Sequence, residues 1–133
     1  MKNKLEKISQ NAYAPYSNFR VGALLIMKDG TEISGVNVEN ASYGATICAE
    51  RNAILHAIAS GYKKGDFEKI YVYVPQDKPS TPCFVCRQVI TEFFQKDKEV
   101  ICMNKLGDTK TYKVSELCPY PFDESDLVWK VDL

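Results

Sequence analysis

Cys83-Phe84-Val85-Cys86, preceded by Pro82, is a stretch whose residue types and spacing point to chemistry. Val85, Val89, Ile90, Phe93 and Phe94 follow at helical spacing, which predicts a helix starting about Cys83. A C-x-x-C there puts both sulfurs on a first turn, where free N–H groups and the helix dipole favour thiolates. By itself the pair reads either as half of a zinc site or as a redox couple. Thr46-Ile47-Cys48-Ala49-Glu50-Arg51 places a third cysteine at the start of another predicted helix. Three sulfurs from two helix N-termini leave one position of a tetrahedral zinc open, the arrangement of a catalytic metal and not of a structural one. Glu50, turned about 200° from Cys48 around a helix, can face that open position without being a ligand. His56, the one histidine, lies roughly 12 Å along the helix from Cys48, too far to share the metal. Cys102 and Cys118 are read as small apolar residues of the core.

Cys48-Ala49-Glu50 followed by Pro82-Cys83-x-x-Cys86 is the pairing that marks zinc deaminases, for which three cysteines are an allowed ligand set. Three further stretches, Tyr16-Ser17-x-Phe19-x-Val21-Gly22-Ala23, Asn37-Val38-Glu39-Asn40-Ala41-Ser42-Tyr43-Gly44 and Cys86-Arg87-Gln88-Val89-Ile90, resemble the small bacterial and eukaryotic cytidine deaminases. The likeness runs in order from about residue 10 to residue 127. It implies one Zn2+ per chain on Cys48, Cys83 and Cys86, with Arg51 donating hydrogen bonds to the ligand sulfurs. It implies Glu50 as the proton carrier between the zinc-bound water, N3 of the pyrimidine and the departing amino group. Asn37 and Glu39 would hold the 3′-hydroxyl side of the ribose, Phe19 would stack near the base, and Ala49 would contact the substrate. Ala41 and Tyr43 would reach into a neighbour's site. Leu117-Cys118-Pro119-Tyr120-Pro121-Phe122 resembles the family's tail, so Phe122 would cover the base from another subunit of a homotetramer. The implied reaction is hydrolytic deamination of cytidine and 2′-deoxycytidine to uridine and 2′-deoxyuridine, with release of ammonia, in pyrimidine salvage. Phe84-Val85 departs from the small residues usual in the family, a departure that could reshape the pocket and leaves the ligand spacing intact. Cys118 stands where a Leu is usual.

The elements that must position these residues follow from apolar spacing and turn chemistry. Leu5, Ile8 and Ala12 predict a helix over 2–13, ended by Pro15. Residues 20–28 and 33–38 read as strands joined at Lys28-Asp29-Gly30-Thr31, because Asp-Gly accepts the positive φ of a tight turn. A polar loop over 39–46 leads to a helix over 48–60 that Gly61 stops. A strand at 69–74, a Pro-rich loop at 75–82, the Cys83 helix, and strands at 99–103 and 110–114 follow, with an irregular tail beyond Ser115. This order predicts one domain over 1–133: a three-layer α/β/α sandwich around a mixed sheet of about five strands, cytidine deaminase-like in fold.

Composition narrows the function classes. Seventeen Lys and Arg balance seventeen Asp and Glu, which argues against a protein that grips nucleic acid by neutralising phosphates. No apolar run reaches the length of a membrane span, and the start lacks the apolar stretch of a secretory signal, so a cytoplasmic protein without nucleic-acid or membrane partners is expected. Five cysteines, an odd number, do not suggest a disulfide framework. Three readings stand beside the nucleoside deaminase: a nucleic-acid deaminase, a blasticidin-type aminonucleoside deaminase, and a zinc-stabilised binding module without turnover. For single residues, Asn37 and Glu39 also suit turn chemistry at a strand end, and Phe19 and Phe122 also suit a core.

Overall fold

A computed structural model describes residues 1–127 of the chain; residues 128–133 of the expected domain lie outside the described residues. Helix α1 (Lys2–Ser9) leads to a hairpin of β1 (Gly22–Met27) and β2 (Glu32–Val36). Its turn closes as Asp29-Gly30 predicts: Gly30 has φ +88°, and Asp29 Oδ1 accepts the Thr31 N–H at 2.9 Å. Then follow α2 (Ala49–Ala59), β3 (Phe67–Tyr73), α3 (Phe84–Phe93), β4 (Glu99–Met103), β5 (Thr109–Lys113) and a short α4 (Val114–Leu117).

The strands form one mixed sheet in the order β2-β1-β3-β4-β5. β1 is antiparallel to both neighbours, with Leu24 opposite Ser34 on one side and Tyr71 on the other. β3 and β4 are parallel, Ile70 facing Val100, and β5 returns antiparallel. Both crossovers, β2-α2-β3 and β3-α3-β4, step the same way along the sheet. Right-handed connections therefore put both helices on one face. The larger core lies there: Ala53, Ile54 and Ala57 of α2 and Ile90 of α3 pack on Leu25, Ile70 and Val100. On the other face Leu5 of α1 packs on Leu24, Tyr73 and Met103. These are the three layers expected.

Gly35 sets how closely α2 approaches the sheet. A Cβ there would lie 2.3 Å from Ala53 N and 2.5 Å from Ala49 O, so only glycine admits the helix at this distance. Two local expectations are corrected. The first helix ends at Ser9 and not near residue 13, because the chain turns off to bridge the segment after β2: Tyr13 N–H donates to Asn37 O at 3.0 Å and Glu39 N–H to Tyr13 O at 2.8 Å. The tail is not wholly irregular: α4 follows Lys113, whose N–H donates to Glu116 Oε1 at 2.7 Å. Cys102 is 1% exposed, the small core residue expected, whereas Cys118 is only half-buried.

Candidate active site

β2 and β3 run the same way on either side of β1, so α2 and α3, which follow them, start from one edge of the sheet. The carboxyl ends of such strands are where α/β sheets build their sites. The segment entering β1 reaches the same edge from the opposite direction. One cleft of ≈ 460 Å³ opens there, a volume within the range of small-molecule sites. Of the residues singled out in the sequence, Phe19, Asn37, Glu39, Tyr43, Cys48, Ala49, Glu50 and Cys83 line it.

Cys48 caps the N-terminus of α2, Cys83 caps that of α3, and Cys86 sits buried in the first turn of α3. Their three sulfurs lie within 4.8 Å of one another, and Cys48 Sγ is 3.9 Å from Cys83 Sγ. Tetrahedral zinc with Zn–S bonds of about 2.3 Å sets its sulfurs about 3.8 Å apart, so the donor set fits that ion in kind and in spacing. The sulfurs also show what an ion would relieve. The Cys48 thiol is held down to about 5, chiefly by the hydrogen bond from Cys86 and then by Arg51. Cys86 is pushed up by that same bond, by burial and by the charge of Glu50. One thiolate thus forms easily, and further ionisation calls for a cation. Arg51 Nη2 donates to Cys48 Sγ at 3.6 Å, while its buried Nε has no hydrogen-bond partner among the described residues. An unpaired buried donor costs ~1–3 kcal/mol, and added thiolate character nearby lessens that cost.

Glu50 is 5% exposed at the cleft floor. Burial raises its carboxyl to about 7, with the Cys48 charge adding to the effect. Such a group both holds and gives up a proton near neutral pH. Phe19, Val21, Val72, Val74 and Pro82 supply apolar wall, the setting in which a flat heterocycle loses little on leaving water.

Asn37 and Glu39 are tied to the segment before β1. Asn37 Oδ1 accepts the Val21 N–H at 2.9 Å, and its Nδ2 donates to Phe19 O at 2.8 Å. Glu39 Oε1 accepts the N–H groups of Tyr16 and Ser17 at 3.0 and 3.1 Å, and its Oε2 accepts the Ser17 hydroxyl. These bonds hold the Glu39 carboxyl below its ordinary range, the Ser17 hydroxyl first among them. The turn chemistry and the cleft position therefore coexist, and the two residues fix where Phe19 stands.

Ala41 and Phe122 do not line this cleft. Phe122 is 61% exposed and borders a separate groove with Phe93, Phe94 and Val114. Gln88 grips its backbone, Nε2 donating to Phe122 O at 2.6 Å and Oε1 accepting Phe122 N–H at 3.3 Å. Tyr43, expected to reach a neighbour, is 91% exposed at the rim of its own chain's cleft. Phe84 and Val85 are exposed and do not line the cleft of their own chain. Sequence reasoning missed Ser17, Thr46, Ser80 and Thr81 as lining residues. Ser17 and Thr46 stood inside quoted stretches, but nothing in their types marked them. Ser80 and Thr81 sit in a loop without periodicity.

The family profile described as the cytidine and deoxycytidylate deaminase zinc-binding region matches residues 1–104. A cytidine deaminase of Halalkalibacterium halodurans is 46% identical over 118 residues, covering 89% of this chain and 88% of its own. A probable cytidine deaminase of Dictyostelium discoideum is 45% identical over 126 residues, covering 92% and 82%. The crystal structure of a Burkholderia pseudomallei cytidine deaminase superposes with a TM-score of 0.87 at 43% identity, covering 90% of this chain and 94% of that one.

Proposed function

The chain belongs to the cytidine and deoxycytidylate deaminase family, and from that premise we propose that it is a zinc-dependent enzyme that removes the exocyclic amino group of cytidine by hydrolysis. We extend the reading to 2′-deoxycytidine, to uridine, 2′-deoxyuridine and ammonia as products, and to pyrimidine salvage in the cytoplasm. The observation that carries it is the meeting of three cysteine sulfurs within 4.8 Å of one another, two of them from residues that line the cleft, with a buried carboxyl that lines the same cleft.

Cys48, Cys83 and Cys86 would hold one zinc per chain, with Arg51 easing the charge on the sulfurs. Zinc, when bound, lowers the pKa of a water towards neutrality. Glu50 then takes a proton from the attacking water and delivers it to N3 of the pyrimidine. As the water oxygen bonds to C4, Glu50 next takes the remaining proton of that oxygen and passes it to the amino group, whose C4–N bond breaks to release ammonia, so it works first as base and then as acid. Phe19 packs near the base, Ala49 lies under it, and Asn37 and Glu39 receive the ribose. The cleft's apolar wall excludes bulk water from these proton transfers.

We read the assembly as a homotetramer with shared sites, in which Ala41, Tyr43 and Phe122 serve a neighbour. The exposure of Phe122, and its place in a groove apart from its own cleft, support this. Balanced charge argues against a protein that grips phosphates, and among the described residues no helix is long and apolar enough to cross a membrane. Neither nucleic acid nor membrane is a partner in this reading.

The test is ammonia release from cytidine, 2′-deoxycytidine and blasticidin S, with zinc measured on the same sample. Turnover of the two nucleosides with about one zinc per chain is expected. Bound zinc with activity only on blasticidin S, or with none, would overturn the substrate assignment.

A further inference from the structure

We propose that Arg87 is a positioning residue for the turn carrying Cys83, and that Phe84 locks Arg87 in place. The inference rests on the zinc reading above. Residues 79–83 have no regular secondary structure, yet Thr81, Pro82 and Cys83 form one lip of the cleft. Arg87 Nε donates to Pro82 O at 2.7 Å and its Nη2 to Thr81 Oγ1 at 2.7 Å. Among the described residues, no other side chain is hydrogen-bonded to Thr81 or Pro82. Nη1 donates to Leu117 O at 3.1 Å, tying the same guanidinium to α4. Three nitrogens of a rigid planar fork thus meet three acceptors, which defines the plane of the group. The Phe84 ring covers that plane, 4.3 Å from Arg87 Cζ.

The peptide bond whose carbonyl Arg87 Nε holds is the one that joins Pro82 to Cys83. Fixing that carbonyl fixes the backbone from which the Cys83 sulfur hangs, at the N-cap of α3. Phe84 is 75% exposed and off the cleft wall, so its departure from the family's small residues acts through Arg87 and not through the pocket. Lysine cannot take the place of Arg87, because one ammonium cannot reach three divergent acceptors in a plane.

The experiment measures zinc transfer from the holoprotein to a chromogenic chelator, and the sulfur-to-metal charge-transfer band of the cobalt(II)-substituted protein. Arg87→Ala and Arg87→Lys should each release zinc about tenfold faster or more and shift the cobalt band. Phe84→Ala and Thr81→Ala should each speed release a few-fold, while Phe84→Tyr, which keeps the ring, should match the wild type. A folded Arg87→Ala protein with wild-type release and an unchanged band overturns the proposal, as does full rescue by lysine. If Arg87→Ala does not fold, wild-type release in both Phe84→Ala and Thr81→Ala overturns it. Wild-type protein without zinc would sink the deaminase reading and this inference together. Zinc without cytidine turnover would sink only the substrate assignment, because chelator transfer still reads the turn.

Discussion

Glu50 shows how one environment sets a residue's chemistry. It occupies the first turn of α2, where the helix dipole favours a carboxylate, yet burial outweighs the dipole and raises the group to about 7. Glu50→Ala should keep its zinc, because the carboxyl is not among the clustered sulfur donors. It should lose turnover by at least ~100-fold, read as ammonia release beside metal content. Full activity in that variant would remove Glu50 from the reaction. Glu39 titrates the other way. Its carboxyl lies below the ordinary value because Ser17 and the Tyr16 and Ser17 amides donate to the ionised form. A group depressed in the folded protein contributes above its unfolded value and loses that contribution only as pH falls through the depressed one. Glu39 should therefore stay ionised, and its share of cytidine binding intact, to a pH below the ordinary carboxylate value, read as the acid-side rise in KM. In Ser17→Ala, which loses the largest of those hydrogen bonds, the rise in KM should begin at higher pH. Coincident profiles for the two proteins would show that the hydroxyl does not set the Glu39 titration.

The elements act through topology. The two cysteine-bearing helix starts meet because β2 and β3 point the same way, with β1 between them. Much of this was legible: the strands read over 20–28 and 33–38 on either side of Asp29-Gly30 predict the hairpin, and apolar spacing predicts α2 and α3. The early end of α1 was not legible, since it depends on the Tyr13 amide finding Asn37 O, a partner 24 residues away. The short α4 was missed because four residues carry no period. Gly35 is the element-scale control point. Gly35→Ala places a methyl 2.3 Å from the Ala53 amide nitrogen, which forces α2 outward and carries Cys48 and Glu50 with it. Overpacking of this kind costs ~1–3 kcal/mol. Denaturant unfolding should show that loss, together with weakened zinc retention; a variant of wild-type stability and zinc content would mean that α2 adjusts without disturbing the site.

At the scale of the whole molecule, the residue that tests the assembly is Phe122. Gln88 anchors its backbone on the outer side of α3 while its ring stays exposed, in a groove that does not include the zinc-ligand cysteines. If that ring serves a neighbouring chain, Phe122→Ala and Glu50→Ala chains should complement each other. Unfolded together and reassembled, they should form sites with Glu50 from one chain and Phe122 from the other, and regain activity above the sum of the separate variants. No gain on mixing would place Phe122 within its own chain's function or outside the site. Sedimentation of the wild type should show four chains.

The local sequence determined which chemistry is available. Cysteines at predicted helix starts, a glutamate two residues beyond one of them and an Asp-Gly turn act through backbone geometry over a few residues, so they can be read in line. Tertiary structure decided what those residues meet. It brought Cys48 to 3.9 Å from Cys83 across 35 positions of sequence, buried Glu50 enough to raise its carboxyl, and turned Phe84 away from the cleft onto Arg87. Burial and partner distance depend on how distant segments pack, and that information is spread over the whole sheet, not held in any one motif.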